Sequence, residues 1–435
     1  MIRPMLPGPE GLRYRLFLAG YGTVLAVAEP LIWRYFRKRA DRDPRYGEKP
    51  EERRGQGETF SADVWVHAVS LGEMKSAVPL VRLLLDAGQT VVTTHATPAG
   101  RKAARDAFGA EIEAGRLAVR YAPIDRKGYW ARFFASTRPK VGLVMEMEFW
   151  PGMIEAAAQA GVPLCLANSQ VPSRSYPRAR RLARLFGHPV ERAAAVFAKS
   201  ERMAERFRAL GAAVIAATGE TRFDITVPEA HLVAGRALGA SLGARPVVTL
   251  ASVVEGEEET YLATLQTLID DTARPFIIWV PRAPELFRQT LEDLRAKGLR
   301  VAARSEAFDA DLVPLADLSE VDILVGDSMG EMFFYLAPAD AVVVGGGFLE
   351  SGAHNVIEPM ALGKPVVTGP HVWTIEYPAV EAEAAGVLTI CPRAADLANT
   401  LRRAMAEGGG RAEAFHAANA GASARIFEAI RPLLG

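Results

Sequence analysis

Three carboxylates and three strand-end loops, two of them glycine-bearing, hold most of the chemistry this sequence can offer. Glu73 closes the run His67-Ala68-Val69-Ser70-Leu71-Gly72-Glu73, where an apolar stretch gives way to a helical pattern. Gly72 permits a tight turn. An acid in the first helical turn beside a sheet edge can act as a general base. The competing reading is an ordinary helix-start acid, stabilised by the unpaired amides there. Glu146 and Glu148 leave a second apolar run, Met145-Glu146-Met147-Glu148-Phe149-Trp150-Pro151. Side chains alternate along a strand, so the two acids are expected on one face. Burying them is costly unless they are used or paired. Pairing with loop arginines is the alternative to a catalytic use.

The second half of the chain supplies the loops. Pro281-Arg282 follows one apolar run. Gly326-Asp327-Ser328-Met329-Gly330-Glu331 follows another and opens a helix. The third loop is Gly345-Gly346-Gly347-Phe348-Leu349-Glu350-Ser351-Gly352-Ala353-His354-Asn355-Val356-Ile357-Glu358. Glycines allow a ligand to approach the backbone, and a helix expected from about Asn355 would aim N–H groups at an anion. Glu358, one turn on, can accept from two ribose hydroxyls. One glycine-rich loop is a weak signal. Three loops closing three strands of one sheet point to a nucleotide site. Asp309-Ala310-Asp311 has the form of a metal-binding pair, but it lies in a polar stretch before a turn. The seven histidines form no ligand cluster, and no metal is expected. A serine-hydrolase reading lacks its Gly-x-Ser-x-Gly elbow.

These residues need elements to position them. Short β-branched runs alternate with Ala-, Leu- and Arg-rich helical stretches. The first series of strands is 64–69, 91–94, 118–121, 141–145, 163–167, 195–198 and 214–217. The second is 247–251, 276–280, 300–303, 323–325, 341–344, 365–368 and 387–390. Apolar runs interleaved with helices imply parallel sheets buried on both faces. Two series imply two doubly wound α/β domains, expected at 61–235 and 236–435. The last helix is a candidate to return to the first. In such sheets ligands bind at the carboxyl ends of the strands, where the residues above fall.

The chain carries 51 basic and 51 acidic residues, a balance that argues against general nucleic-acid binding. Cys165 and Cys391 sit apart in apolar runs and read as core thiols of a reducing compartment. Residues 1–60 read as a membrane anchor and linker. The run from Leu16 to Phe36 is long enough to span a bilayer, although Glu29 and Pro30 interrupt it. Arg34, Arg37, Lys38, Arg39, Arg42 and Arg45 follow, which places the bulk of the chain in the cytoplasm. A helix lying in the interface, with Tyr14, Tyr21, Trp33, Tyr35 and Phe36 at headgroup depth, is equally compatible. A signal peptide cut after Ala26-Val27-Ala28 is disfavoured by the dense positive charge that follows. The basic run Arg174, Arg178, Arg180, Arg181 and Arg184 reads either as an anionic-lipid contact or as a solvated helix face.

In order, these stretches resemble the 3-deoxy-D-manno-octulosonic acid (Kdo) transferases. The resemblance runs from the N-terminus to about residue 370. Its most specific pieces are Ser70–Glu73, Met145–Pro151, Gly326–Met332 and Gly345–Pro359. Weaker pieces are Tyr121–Asp125, Ala167–Ser175 and Gly219–Asp224. The resemblance implies a GT-B fold, two Rossmann-like domains facing a cleft. It also implies transfer of Kdo from CMP-Kdo to a lipid A precursor, with inversion and without a cofactor, at the cytoplasmic face of the bacterial inner membrane. By the same resemblance Glu73 is the base, and Glu146 and Arg222 serve the transition state. CMP contacts fall on Pro281, Arg282, Met329, Gly330, Glu331, Asn355, Val356, Ile357 and Glu358. The sequence departs from the family pattern at Arg222, where a Lys is usual, and at Val253, Val254, Ala283 and Gln170. Arg keeps the charge of Lys but presents a planar fork. Other readings are a GT-B transferase or epimerase with a different donor, and a silent nucleotide- or lipid-binding relative.

Overall fold

The computed structural model describes residues 2, 11–148, 150–269 and 274–435. Phe149, inside the Met145–Pro151 run, lies outside the described residues. Every strand expected from the sequence forms, with ends moved by one or two residues at most. The first series is β1 Val64–His67, β2 Val91–His95, β3 Leu117–Tyr121, β4 Val141–Met145, β5 Leu164–Ser169, β6 Ala195–Ala198 and β7 Ile215–Ala217. The second is β8 Val247–Val253, β9 Phe276–Pro281, β10 Val301–Ala303, β11 Ile323–Val325, β12 Ala341–Val344, β13 Val366–Thr368 and β14 Leu388–Ile390.

Among the described residues these make two seven-stranded sheets. The orders are β3-β2-β1-β4-β5-β6-β7 and β10-β11-β9-β8-β12-β13-β14. Every pairing is parallel, as in β1 against β2 and β8 against β12. The reason lies in composition. Val64, Trp65 and Val66 are wholly buried, as are Val342 and Val343, so these strands are covered on both faces.

The chain divides into two compact units, Met1–Ile225 with Ala420–Gly435, and Thr226–Asn419. In the first, the helix Leu71–Asp86 buries Met74, Ala77, Leu80, Val81 and Leu84 against the sheet. The C-terminal helix Ala422–Ile430 joins the same core through Ile426 and Ile430. Asp224 fixes its start, accepting from the Ser423 amide at 2.6 Å. The helix that carries Glu73 is therefore held from behind by the end of the chain.

Ile426→Ala is expected to destabilise the first unit by about 2–5 kcal/mol, the usual range for deleting a fully buried aliphatic side chain. A denaturant midpoint for that unit checks it. A shift equivalent to less than ~0.5 kcal/mol, the scale of a surface change, would contradict this packing role.

Candidate active site at the sheet switch points

Each sheet has one place where the chain reverses its direction of winding, and ligands settle at such points. In the first sheet it lies between β1 and β4. The loop after β1 carries Glu73, and the loop after β4 carries Glu146 and Glu148. In the second sheet the reversal lies between β8 and β12. The loop after β12 is the glycine-rich stretch Gly345–Glu358.

Glu73 sits in the first turn of the helix Leu71–Asp86, whose N-cap is Ser70. Its carboxylate accepts from the Val69 amide at 2.7 Å and from Ser70 Oγ at 2.9 Å. Ser70-x-x-Glu73 is thus a variant of the reciprocal helix cap, which the sequence spacing already permitted. Burial pushes the Glu73 carboxyl up to about 7. The bonds from Val69 and Ser70 oppose that rise, and the charges of Glu148 and Glu146 add to it. The protonated form suits the fold, so this contribution is complete below the ordinary value near 4.5 and is lost as pH rises through about 7.

The shared strand face expected for Glu146 and Glu148 does not form, because β4 stops at Met145. Glu146 instead adopts a left-handed backbone, φ +57°. Glu148 accepts from Trp150 Nε1 at 2.6 Å, while burial, reinforced by the Glu146 charge, holds its carboxyl above the usual range. Glu146 turns toward a buried network. Lys199 Nζ lies 2.7 Å from Glu146 Oε1 and 2.7 Å from Glu220 Oε2. Asn168 Nδ2 donates to both acids, at 3.1 and 2.8 Å. Burial opposes ionisation of Glu220, but the Lys199 and Arg222 charges outweigh it and hold its carboxyl below the usual range. Arg222 Nε donates to Ser76 Oγ at 2.7 Å, and Ser76 Oγ donates to the Gly72 carbonyl at 2.9 Å. Hydrogen bonds and ion pairs therefore run from Glu146 through Lys199 and Glu220 to Arg222, and on to the turn that bears Glu73. Sequence reading missed Lys199 and Glu220. The available signal was a Lys directly after the apolar run of β6.

In the second unit the strands β11, β9, β8 and β12 are neighbours, so the residues expected to hold a nucleotide share one sheet edge. Arg282 is exposed at the end of β9, and Pro281 is buried within it. Burial pushes His354 down to about 4, and the Arg282 charge adds to this. Glu331 pairs with Arg304 at 2.6 Å. Gly330, at φ +90°, and Met329, 52% exposed, form the turn before it. The glycines of the third loop serve the fold more directly than expected. A Cβ on Gly347 would lie 2.4 Å from Thr368 Oγ1, and Gly346 is left-handed at φ +86°. Two loop amides, of Gly346 and Phe348, donate to buried Glu257 at 2.7 and 3.1 Å. The helix expected from Asn355 begins at Ile357 with Val356 at its N-cap, and Asn355 Oδ1, just outside it, accepts from the Ile357 amide at 3.0 Å. Val356 and Ile357 are buried, and Glu358 is half-buried. Asp309 Oδ1 accepts from the Asp311 and Val313 amides, so the Asp-x-Asp pair shapes a turn.

A family model described as 3-deoxy-D-manno-octulosonic-acid transferase matches residues 40–225. A 3-deoxy-D-manno-octulosonic acid transferase of Bordetella pertussis is 37% identical over 443 residues, covering 95% of this chain and 99% of its own. One of Haemophilus influenzae is 26% identical over 432 residues, covering 95% and 98%. Among solved structures, UDP-GlcNAc 2-epimerase from Neisseria meningitidis bound to UDP-GlcNAc matches with a TM-score of 0.53 at 14% identity, over 85% of this chain and 99% of that one. That likeness is one of fold, and with the two parallel sheets it places the chain in the GT-B class.

Lys199→Met is expected to cost about 3–5 kcal/mol, because it leaves two buried carboxylates without their cation. Adding Glu220→Gln is expected to recover a substantial part of the loss. Thermal midpoints of the two variants check this. An unchanged midpoint in the single variant would show that the ammonium does not hold the network.

Proposed function

This chain belongs to the Kdo transferase family and is a glycosyltransferase, and we propose that it moves Kdo from CMP-Kdo to the primary 6′-hydroxyl of a lipid A precursor, with inversion. The family relation supports the sugar transferred. The observation that supports the base is Glu73, a carboxyl at a sheet switch point whose burial lifts its proton affinity to about 7. A base poised near the working pH is favoured for proton transfer.

In this reading the acceptor oxygen attacks the anomeric carbon of Kdo from the face opposite CMP. The bond from that carbon to the CMP phosphate oxygen breaks, and CMP leaves with the electron pair. The hydroxyl proton passes to Glu73. Glu146, paired with Lys199 and accepting from Asn168, faces positive charge developing on the sugar ring. Arg222 meets negative charge on the sugar carboxylate or phosphate. Arg282 balances the leaving phosphate, while Met329, Gly330, Glu331 and Asn355–Glu358 form the rest of the CMP site. No metal or cofactor takes part. The lipid acceptor fits attachment of the N-terminal segment, and of the basic run Arg174–Arg184, to the anionic cytoplasmic face of the inner membrane.

Glu73→Gln should lower the transfer rate by about 10²–10⁴-fold, the usual contribution of a positioned base, while CMP binding is retained. Transfer at the unsubstituted rate would sink the assignment. The pH profile supplies a second check. Only ionised Glu73 can accept the proton, so kcat/KM should fall as pH drops below about 7, and this acid limb should vanish in Glu73→Gln.

A further inference from the structure

We propose that the first unit rests flat on an anionic phospholipid bilayer through two adjacent helices, Leu12–Ala40 and Tyr176–Phe186, and that neither crosses it. The inference deepens the membrane attachment proposed above and rests on that reading for the identity of the surface.

The long helix is docked along its length. Tyr14, Tyr21, Leu25, Glu29, Trp33 and Phe36 recur at helical spacing on its inner side. Tyr21 donates to Asp125 Oδ2 at 2.8 Å. Glu29 pairs with Arg126 and accepts from Tyr129 at 2.6 Å. The Arg54 guanidinium lies 4.3 Å from the centre of the Trp33 ring, and that of Arg53 lies 4.0 Å from the Phe36 ring. From Tyr14 to Phe36 the helix rises about 33 Å at 1.5 Å per residue. That is the whole of a hydrocarbon core about 30 Å thick. A spanning helix would have to drag Asp125 and Arg126 into hydrocarbon or break every one of these contacts. Charged groups there are expensive.

Among the described residues the outer side is apolar and uncovered. Leu12, Leu16, Val24, Val27 and Leu31 are each more than 60% exposed. The one acid of this helix, Glu29, is turned inward, while Arg13, Arg15, Arg34, Arg37 and Lys38 flank the apolar stripe. The helix Tyr176–Phe186 packs beside it. A Cβ on Gly187, just past its end, would lie 4.0 Å from the Tyr14 ring. It exposes Leu182 and Leu185, at 45% and 49%, among Arg178, Arg181 and Arg184, and it contains no acid. Leucines bordered by arginines on two neighbouring helices fit the boundary between headgroups and acyl chains of an anionic membrane. Among the described residues this face carries no carboxylate, which disfavours a basic partner, and the arginines disfavour a second copy of the same face.

Both native cysteines are buried, so Gly11→Cys in the full chain reports topology to a membrane-impermeant maleimide. Labelling in inverted inner-membrane vesicles and none on intact spheroplasts is expected. Labelling from the outer side overturns the flat arrangement. The double substitution Leu182→Glu, Leu185→Glu should weaken binding to vesicles of phosphatidylglycerol and phosphatidylethanolamine at least tenfold. Its thermal midpoint and its transfer to detergent-dispersed acceptor should stay unchanged. Unaltered vesicle binding overturns the role of the second helix, as does a vesicle-free dimer that the double substitution abolishes. If the unsubstituted chain transfers nothing in detergent, the proposed reaction fails while the labelling result stands on its own.

Discussion

The ammonium of Lys199 lies 2.7 Å from Glu146 and 2.7 Å from Glu220, with Lys199 only 2% exposed. Two carboxylates beneath a sheet edge repel each other, and a cation between them relieves that repulsion. Asn168 ties both acids from the other side, and Arg222 adds the second positive charge. The group is electrically balanced, with two acids and two bases. Its position matters as much as its balance. The members come from the ends of β4, β5 and β6 and from the turn after β7, so half of the first sheet's carboxyl edge is organised around one nitrogen atom.

Backbone geometry at the same edge shows what this organisation demands. Glu146 and Asn168, at the ends of β4 and β5, both take left-handed backbones, φ +57° and +55°. This costs roughly 1–2 kcal/mol at Glu146 and less at Asn168, whose short polar side chain tolerates the conformation. Tertiary bonds hold Glu146 there. Its amide donates to the Ala167 carbonyl at 3.0 Å, and its carbonyl accepts from Ser169 Oγ at 2.7 Å. The turn swings the Glu146 carboxylate toward Lys199, not along the strand direction. Ser252 repeats the device at the end of β8 in the second unit, φ +62°, where its carbonyl would lie 2.4 Å from a Cβ on Gly345. In both units a strained strand end shapes the loop at the switch point.

The sheets were legible because burial on both faces forces long β-branched runs, and such runs survive any detail of packing. The edge was less legible for the same physical reason. Past Met145 the alternation of strand side chains ceases to hold, so the shared face expected for Glu146 and Glu148 dissolved into a turn. Lys199 could not be matched to Glu220 because their contact joins residues from different strand ends, and spacing carries no trace of it. The glycines of Gly345–Gly347 looked like room for a ligand. They are equally required by the crowding of Ser252 and Thr368, which only the assembled sheet reveals. The helix starts at Ile357, two residues past Asn355, with Val356 at its N-cap.

The capped state of Glu73 bears on what it can do. An ionised carboxylate offers about four lone-pair positions. The Val69 amide and Ser70 Oγ use two of them, one on each oxygen, which leaves each oxygen able to accept once more. Both bonds favour the charged form, yet the carboxyl still titrates near 7, because burial outweighs them. The cap therefore fixes the direction of the carboxylate without removing its affinity for a proton. A flexible acid at this position would lose that direction, and a solvated one would lose the affinity. Glu73 keeps both because the turn that starts its helix is also the turn that ends β1, at the point where the sheet reverses.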